Sequence, residues 1–298
     1  MELGYPKNLY VLPFDHRSTF IKTFVGEVDD LDKKQLKLIA DYKRLIFDGF
    51  LISLGYVKNP VSCAVMVDED YGIEVLKASL KKKIITALPV EKSGETSFHF
   101  QYGDKFGAHI DAIKPDIVKN LVRYNPVNKK VNKDQLVRIR QLSDWCKKNN
   151  YKYMAEVLIP PTDGQLNRSG GKKENFDAKL KPALAVRMVK EFHDAGIEPD
   201  IWKIEALESS DDWHELIDTI RDDGRDDVAI IMLGRGDSFA KVKTWMNEAP
   251  RHLLNGFAVG RTVFLRPLTD FHQGKISKKE AEIEIAKNYV ELIRYWEK

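Results

Sequence analysis

The sequence predicts an α/β fold, a single-domain (β/α)8 TIM barrel covering residues 1–298, and three observations carry it. Apolar runs of strand length recur eight times. Helix-length amphipathic segments separate them, as repeated βα units require. No low-complexity linker interrupts the 298 residues, a length that one barrel domain of ~250 residues with insertions accommodates.

In chain order, LYVLPFD (9–15) leads through DKKQLKLIADYKRLIFDGFLISL to CAVMVD (63–68). GIEVLKASLKKK precedes KIITALPV (83–90), KFGAHIDAI precedes IVKNLVRY (117–124), and KDQLVRIRQLSDWCKKNN precedes YMAEVLIP (153–160). AKLKPALAVRMVKEFHDAG runs to DIWKIEAL (200–207), SDDWHELIDTIRDD to VAIIMLG (228–234) and SFAKVKTWMNEA to GFAVGRTVF (256–264); SKKEAEIEIAKNYVELIRYW closes the chain. Asp177, Ser209 or Ser210, and Ser277 suit helix N-caps, and Gly196 and Gly224 suit chain reversal after a helix. Eight such units favour a closed barrel over an open sheet.

Composition narrows the function. With 48 basic and 45 acidic side chains the net charge is +3, too balanced to predict a nucleic-acid partner. Cys63 and Cys146 lack CxxC spacing and read as reduced thiols. The N-terminus shows no cationic segment followed by an apolar run. No stretch nears the ~18 apolar residues of a membrane span. The expectation is a cytoplasmic protein without a membrane partner, and self-association stays open.

Two insertions follow strand C-termini, where barrel active sites form. They are EKSGETSFHFQYGD after the third strand and PTDGQLNRSGGKKENF after the fifth. The second, with Arg168, Gly170 and Gly171, reads as a mobile substrate lid.

Charges interrupt the strands. Asp15 and Asp68 close the first and second, Lys119 and Arg123 lie in the fourth, Glu156 in the fifth, and Lys203 and Glu205 in the sixth. Residues two apart on a strand share a face, so Lys203 and Glu205 point together, opposite Trp202 and Ile204. Inside a barrel each charge needs a partner or a task. A lysine amine in a dry pocket beside other cations loses its proton readily and becomes a nucleophile toward a ketone. The seventh and eighth strands run into LGRGDS and GFAVGRTV, which place Gly234, Arg235, Gly236, Gly260 and Arg261 where barrels commonly bind phosphate. The seven histidines show no HxH or HExxH spacing, so no metal site and no cofactor is expected.

LPFDHRSTF, VMVDEDYG, VKNLVRYNP, AEVLIPP, DIWKIEAL and NGFAVGRTVF, in this order, resemble motifs of the tagatose-1,6-bisphosphate aldolase-like class I aldolases. The resemblance is closest to the aldolase-like domain fused behind 5-dehydro-2-deoxygluconokinase in bacterial inositol catabolism, and the expectation is that domain standing alone. It implies that Lys203 forms the Schiff base, Glu156 shuttles protons, Lys119 supports the site electrostatically and Asp15 orients substrate or water. The motif's FDQRG-like segment reads Asp15, His16, Arg17, Ser18 here, which leaves the role of His16 open. Arg261 with Gly234, Gly236 and Gly260 is expected to hold a phosphate, and Arg235 to adapt that pocket; Arg17, Arg123 and Arg168 are candidates for a second anion, and Asp68 for substrate binding. The implied activity is cleavage of a phosphorylated keto sugar or keto sugar acid. A non-turning phosphosugar-binding regulator, or an aldolase of tagatose or fructose 1,6-bisphosphate, remains the alternative.

Overall fold

A computed structural model describes residues 2–26 and 30–298. Eight parallel strands close into a barrel in sequential order: β1 (Leu9–Pro13), β2 (Cys63–Met66), β3 (Ile85–Pro89), β4 (Ile117–Arg123), β5 (Lys152–Leu158), β6 (Ile201–Glu205), β7 (Ala229–Leu233) and β8 (Gly256–Ala258). β8 pairs back onto β1, with Leu9 opposite Gly256 and Val11 opposite Ala258. The barrel architecture read from the eight apolar runs is the one observed.

The helices are α1 (Ser18–Phe24), α2 (Lys33–Ser53), α3 (Glu69–Lys81), α4 (Phe106–Ile113), α5 (Lys129–Lys148), α6 (Asp163–Arg168), α7 (Lys173–Lys179), α8 (Lys181–Asp194), α9 (Ser210–Arg221), α10 (Phe239–Glu248), α11 (Arg261–His272) and α12 (Lys278–Trp296). Local chemistry starts many of them. Asp32 and Gln35 form a reciprocal capping box at α2, Ser277 and Glu280 do so at α12, and Ser209 caps α9. Gly196 and Gly224 turn the chain after α8 and α9 with positive φ. Asp177, expected as an N-cap, instead lies inside α7, buried and ion-paired.

Two expected boundaries move. GFAVGRTVF is not one strand: β8 ends at Ala258 and α11 begins at Arg261. At Gly260 a Cβ would lie 2.0 Å from the Pro13 carbonyl oxygen, so β1 and the turn into α11 approach as only glycine allows. The second insertion, read as a mobile substrate lid, contains α6 and the start of α7. Thr162 and Gln165 form a capping box that starts α6, and Gly170 and Gly171 take positive φ in the turn to α7.

The core has two layers. Outward-facing residues such as Tyr10, Val65, Val118, Trp202 and Ile230 pack beneath the helices together with Ile46, Phe50, Ile285 and Tyr289. Inward, Leu9, Val11, Ala64, Met66, Ala87, Ile117, Met154, Ile201, Ala229, Ile231 and Ala258 fill the barrel. Strand alternation then carries that inward face upward, from Ile117 to Lys119, Met154 to Glu156, and Ile201 to Lys203 and Glu205. Charge therefore replaces hydrocarbon toward the C-terminal mouth.

Candidate active site

The mouth opens into a cavity of about 450 Å³ lined by Asp15, His16, Lys119, Glu156, Lys203 and Arg261, with Glu91, Arg123, Glu205, Arg235, Gly236 and Gly260 among its other walls. Glu156 on β5 and Lys203 on β6 are register partners, so their inward side chains meet. Lys203 Nζ lies 2.9 Å from Glu156 Oε2, and Lys119 Nζ lies 2.8 Å from the same oxygen. Below them, Lys203 Nζ is 3.8 Å from Met66 Sδ. One carboxylate oxygen thus joins two amines.

The amines differ in what surrounds them. Lys119, 1% exposed, also donates to Asp15 Oδ2 and Glu91 Oε1, each at 2.8 Å. Burial alone would favour its neutral form, but Asp15, Glu156 and Glu91 outweigh it and hold the ammonium well above its ordinary pKa. Lys203, 2% exposed, ion-pairs with Glu156 and borders the cavity. Lys119 is fixed by three carboxylates, whereas Lys203 has one carboxylate partner and borders the same cavity.

The carboxylates respond in kind. Burial would raise Asp15 and Glu156, yet Lys119 and Lys203 pull both below their ordinary values, with His16 also lowering Asp15. Both are ionised at neutral pH, which leaves Glu156 competent as a base. His16 is moved to about 4, first by burial and then by Arg261 and Lys203, against the opposing pull of Asp15 and Glu156. Its ring is neutral at pH 7.

On the β7 and β8 side, Arg261 is the first residue of α11 and donates to the Arg235 carbonyl at 2.8 Å. Gly236 has φ +76°, and a Cβ there would stand 2.6 Å from Arg261 Nε. The guanidinium therefore rests against bare backbone beside a helix N-terminus, where an anion is favoured.

Several expected residues lie elsewhere or are otherwise engaged. Asp68 caps α3 by accepting from the Tyr71 N–H at 2.8 Å and ion-pairs with Lys43, both side chains fully buried. It is sealed away from the cavity. Arg168 ends α6 and is not among the cavity walls. Arg17 borders the cavity but is held by Asp70 at 3.2 Å and by the Glu91 carbonyl. Arg235 borders it too, yet binds Asp177 at 2.6 Å and lies over the Trp245 ring at 4.5 Å. Gly234 abuts Val259, 2.7 Å from where a Cβ would be, and serves packing. Arg123 lines the cavity and donates to the Glu95 carbonyl at 3.1 Å.

Sequence reasoning missed Glu91. It binds Lys119 and accepts from the Leu121 N–H at 3.1 Å. The signal was present, since Ile85, Ala87, Pro89 and Glu91 share one parity. No group of three or more His, Cys, Asp or Glu residues suited to a metal occurs among the described residues.

The profile of a protein family described as "Uncharacterized protein conserved in bacteria (DUF2090)" matches residues 4–298. The chain belongs to this family. No curated protein matches this DUF2090 chain. Among solved structures, a fructose-bisphosphate aldolase from Plasmodium falciparum superimposes with a TM-score of 0.68 at 12% identity, covering 97% of this chain and 90% of that one. Cgl0159 from Corynebacterium glutamicum gives 0.56 at 15% identity, over 96% and 86% of the two chains. An archaeal fructose 1,6-bisphosphate aldolase gives 0.53 at 12% identity, over 96% and 95%. At such identities the likeness is one of fold. Among the described residues no helix is long and apolar enough to cross a membrane.

Proposed function

We propose that this DUF2090 protein is a Schiff-base (class I) aldolase that cleaves a phosphorylated keto sugar or keto sugar acid. The observation that carries the reading is the Lys203 amine, 2.9 Å from the Glu156 carboxylate on a neighbouring strand and bordering an open cavity that also contains Arg261. The aldolase names of the structural neighbours are consistent with it.

Lys203 passes a proton to Glu156 and attacks the substrate ketone. Loss of water leaves an iminium, which accepts the electron pair when the C–C bond breaks. Glu156 takes the proton of the cleaved hydroxyl and returns it to the enamine carbon, and hydrolysis of the iminium releases the product ketone. Lys119, held charged by three carboxylates, keeps Glu156 ionised and close to Lys203. Asp15 steadies Lys119 and offers an acceptor to a substrate hydroxyl or a water.

Arg261 and the start of α11 hold the phosphate, so that binding energy remote from the reacting carbon positions it. Arg123 and Lys173, which also line the cavity, supply charge for a carboxylate. The substrate we favour, on the motif resemblance and this charge distribution, is 5-dehydro-2-deoxygluconate 6-phosphate, yielding dihydroxyacetone phosphate and malonate semialdehyde. A coupled cleavage assay across phosphorylated ketoses and keto sugar acids tests the reading. Release of dihydroxyacetone phosphate from one of them supports it. Tight binding of the panel without cleavage or lysine adduct would favour a phosphosugar-binding regulator.

A further inference from the structure

The proposed reaction leaves His16, on the cavity wall, without a task. His16 directly follows Asp15 at the mouth end of β1 and lines the cavity. Its position is fixed: Lys43 Nζ donates to its carbonyl oxygen at 3.2 Å, and the ring lies edge-on to Phe264 with centroids 6.3 Å apart. Its chemistry is not satisfied, because Nδ1 is buried with no hydrogen-bond partner among the described residues. Nε2 is not among the sealed atoms, and no hydrogen bond of the His16 ring occurs among the described residues, so Nε2 is the ring nitrogen left facing the cavity and marks the place for a ligand atom. The charged groups acting on the ring are Asp15, Arg261, Lys203 and Glu156. The imidazole therefore lies near both the attacking amine and the arginine assigned to the anion.

We propose that His16 donates its N–H to the substrate's carbonyl oxygen while the Lys203 amine attacks the carbonyl carbon, an inference that rests on the aldolase reading above. A neutral imidazole carries one N–H and can polarise a carbonyl without surrendering its proton. The ring is neutral here because burial, Arg261 and Lys203 hold it to about 4. In the step, the Lys203 ammonium gives one proton to Glu156, the N–C bond forms, and the carbonyl π pair moves onto the oxygen, where the His16 N–H meets it. Glu156 delivers that proton to the oxygen, takes a second from nitrogen, and delivers it as the C–O bond breaks. Water leaves with both protons, the iminium nitrogen keeps one, and Glu156 ends ionised. His16 loses nothing and receives nothing.

The test follows adduct formation by intact mass in wild type, His16→Phe and His16→Gln mixed with dihydroxyacetone phosphate and borohydride. Loss of one preorganised donor predicts a trapping rate lower by about 100-fold in His16→Phe. The glutamine amide, still a donor, should keep the rate within about tenfold of wild type. Affinity for glycerol 3-phosphate, which has no carbonyl, should stay within about threefold in both, since the phosphate contacts are untouched. Trapping by His16→Phe at the wild-type rate overturns the proposal, as does a trapping loss matched by an equal loss of glycerol 3-phosphate affinity. Failure of wild type to form any adduct removes the aldolase reading itself, and this inference with it. Nitrogen-15 spectra of wild type give an arm independent of how the variants fold. A His16 ring resonance should move with dihydroxyacetone phosphate and stay still with glycerol 3-phosphate, and no movement with the ketone counts against the role.

Discussion

Two buried lysine–carboxylate pairs make the most informative contrast in this barrel. Lys43 and Asp68 meet between α2 and the start of α3, both fully buried, with Lys43 also donating to the Phe14 carbonyl at 2.8 Å. Lys203 and Glu156 meet at the barrel mouth, nearly as buried, at the edge of an open cavity. In sequence both involve a charge at or near a strand end, and both pairs satisfy the requirement that a buried charge be compensated. They differ in access. The sealed pair joins a helix to a strand end, whereas the open pair presents an amine and a base to whatever enters.

Replacing each lysine breaks the comparison in opposite directions. Lys203→Met should reduce turnover by at least ~10⁴-fold, as loss of a covalent nucleophile does, with the melting temperature shifting little. Lys43→Met should strand Asp68 at a cost of about 3–5 kcal/mol, read as a lower denaturation midpoint, while activity per folded molecule falls far less. Adding Asp68→Asn, which keeps an N-cap oxygen for Tyr71, should restore part of that stability. If Lys43→Met instead abolished turnover without unfolding, the division into sealed and open pairs would be mistaken.

The arginines sharpen the same distinction. Arg261→Ala should raise KM for a phosphorylated substrate by roughly 10–100-fold, the worth of a charge-assisted hydrogen bond at a preorganised site. Arg168→Ala, away from the cavity, should change KM by less than about twofold. Equal losses from the two would place the anion elsewhere.

Acid offers a finer probe. The folded His16 titrates near 4 against an ordinary 6.5, so between those values the unfolded chain binds the extra proton. Stability from this group is full above pH 6.5 and is lost as pH falls toward 4. Asp15 and Glu156, lowered in the fold, contribute stability above their ordinary values and lose it at still lower pH. Chemical denaturation across pH 7 to 4 should show the His16 step in wild type and a flatter profile in His16→Phe.

Much of this site was legible because strand parity is strict. Lys119, Glu156, Lys203 and Glu205 follow the inward apolar residues two positions at a time, and the barrel brings them together. Glu91 obeys the same rule and was passed over because it opens a polar insertion. Asp68 shares the parity of Ala64 and Met66, but β2 ends at Met66; the side chain then turns to cap α3, which parity cannot register. The span 256–264 reads as a strand because Phe257, Val259, Val263 and Phe264 are apolar. The turn that follows β8 brings Gly260 against Pro13, a contact between opposite ends of the sequence that local patterning cannot register. Arg235 looks available in sequence, and its engagement with Asp177 depends on α7, an element hidden in a stretch read as a lid.

The most direct test is to reduce the protein with borohydride in the presence of dihydroxyacetone phosphate, digest it, and map the modified lysine by mass spectrometry. The adduct should lie on Lys203, in the peptide containing DIWKIEAL, and disappear in Lys203→Met. A label on Lys119 or Lys173, or one that survives that substitution, would contradict the account.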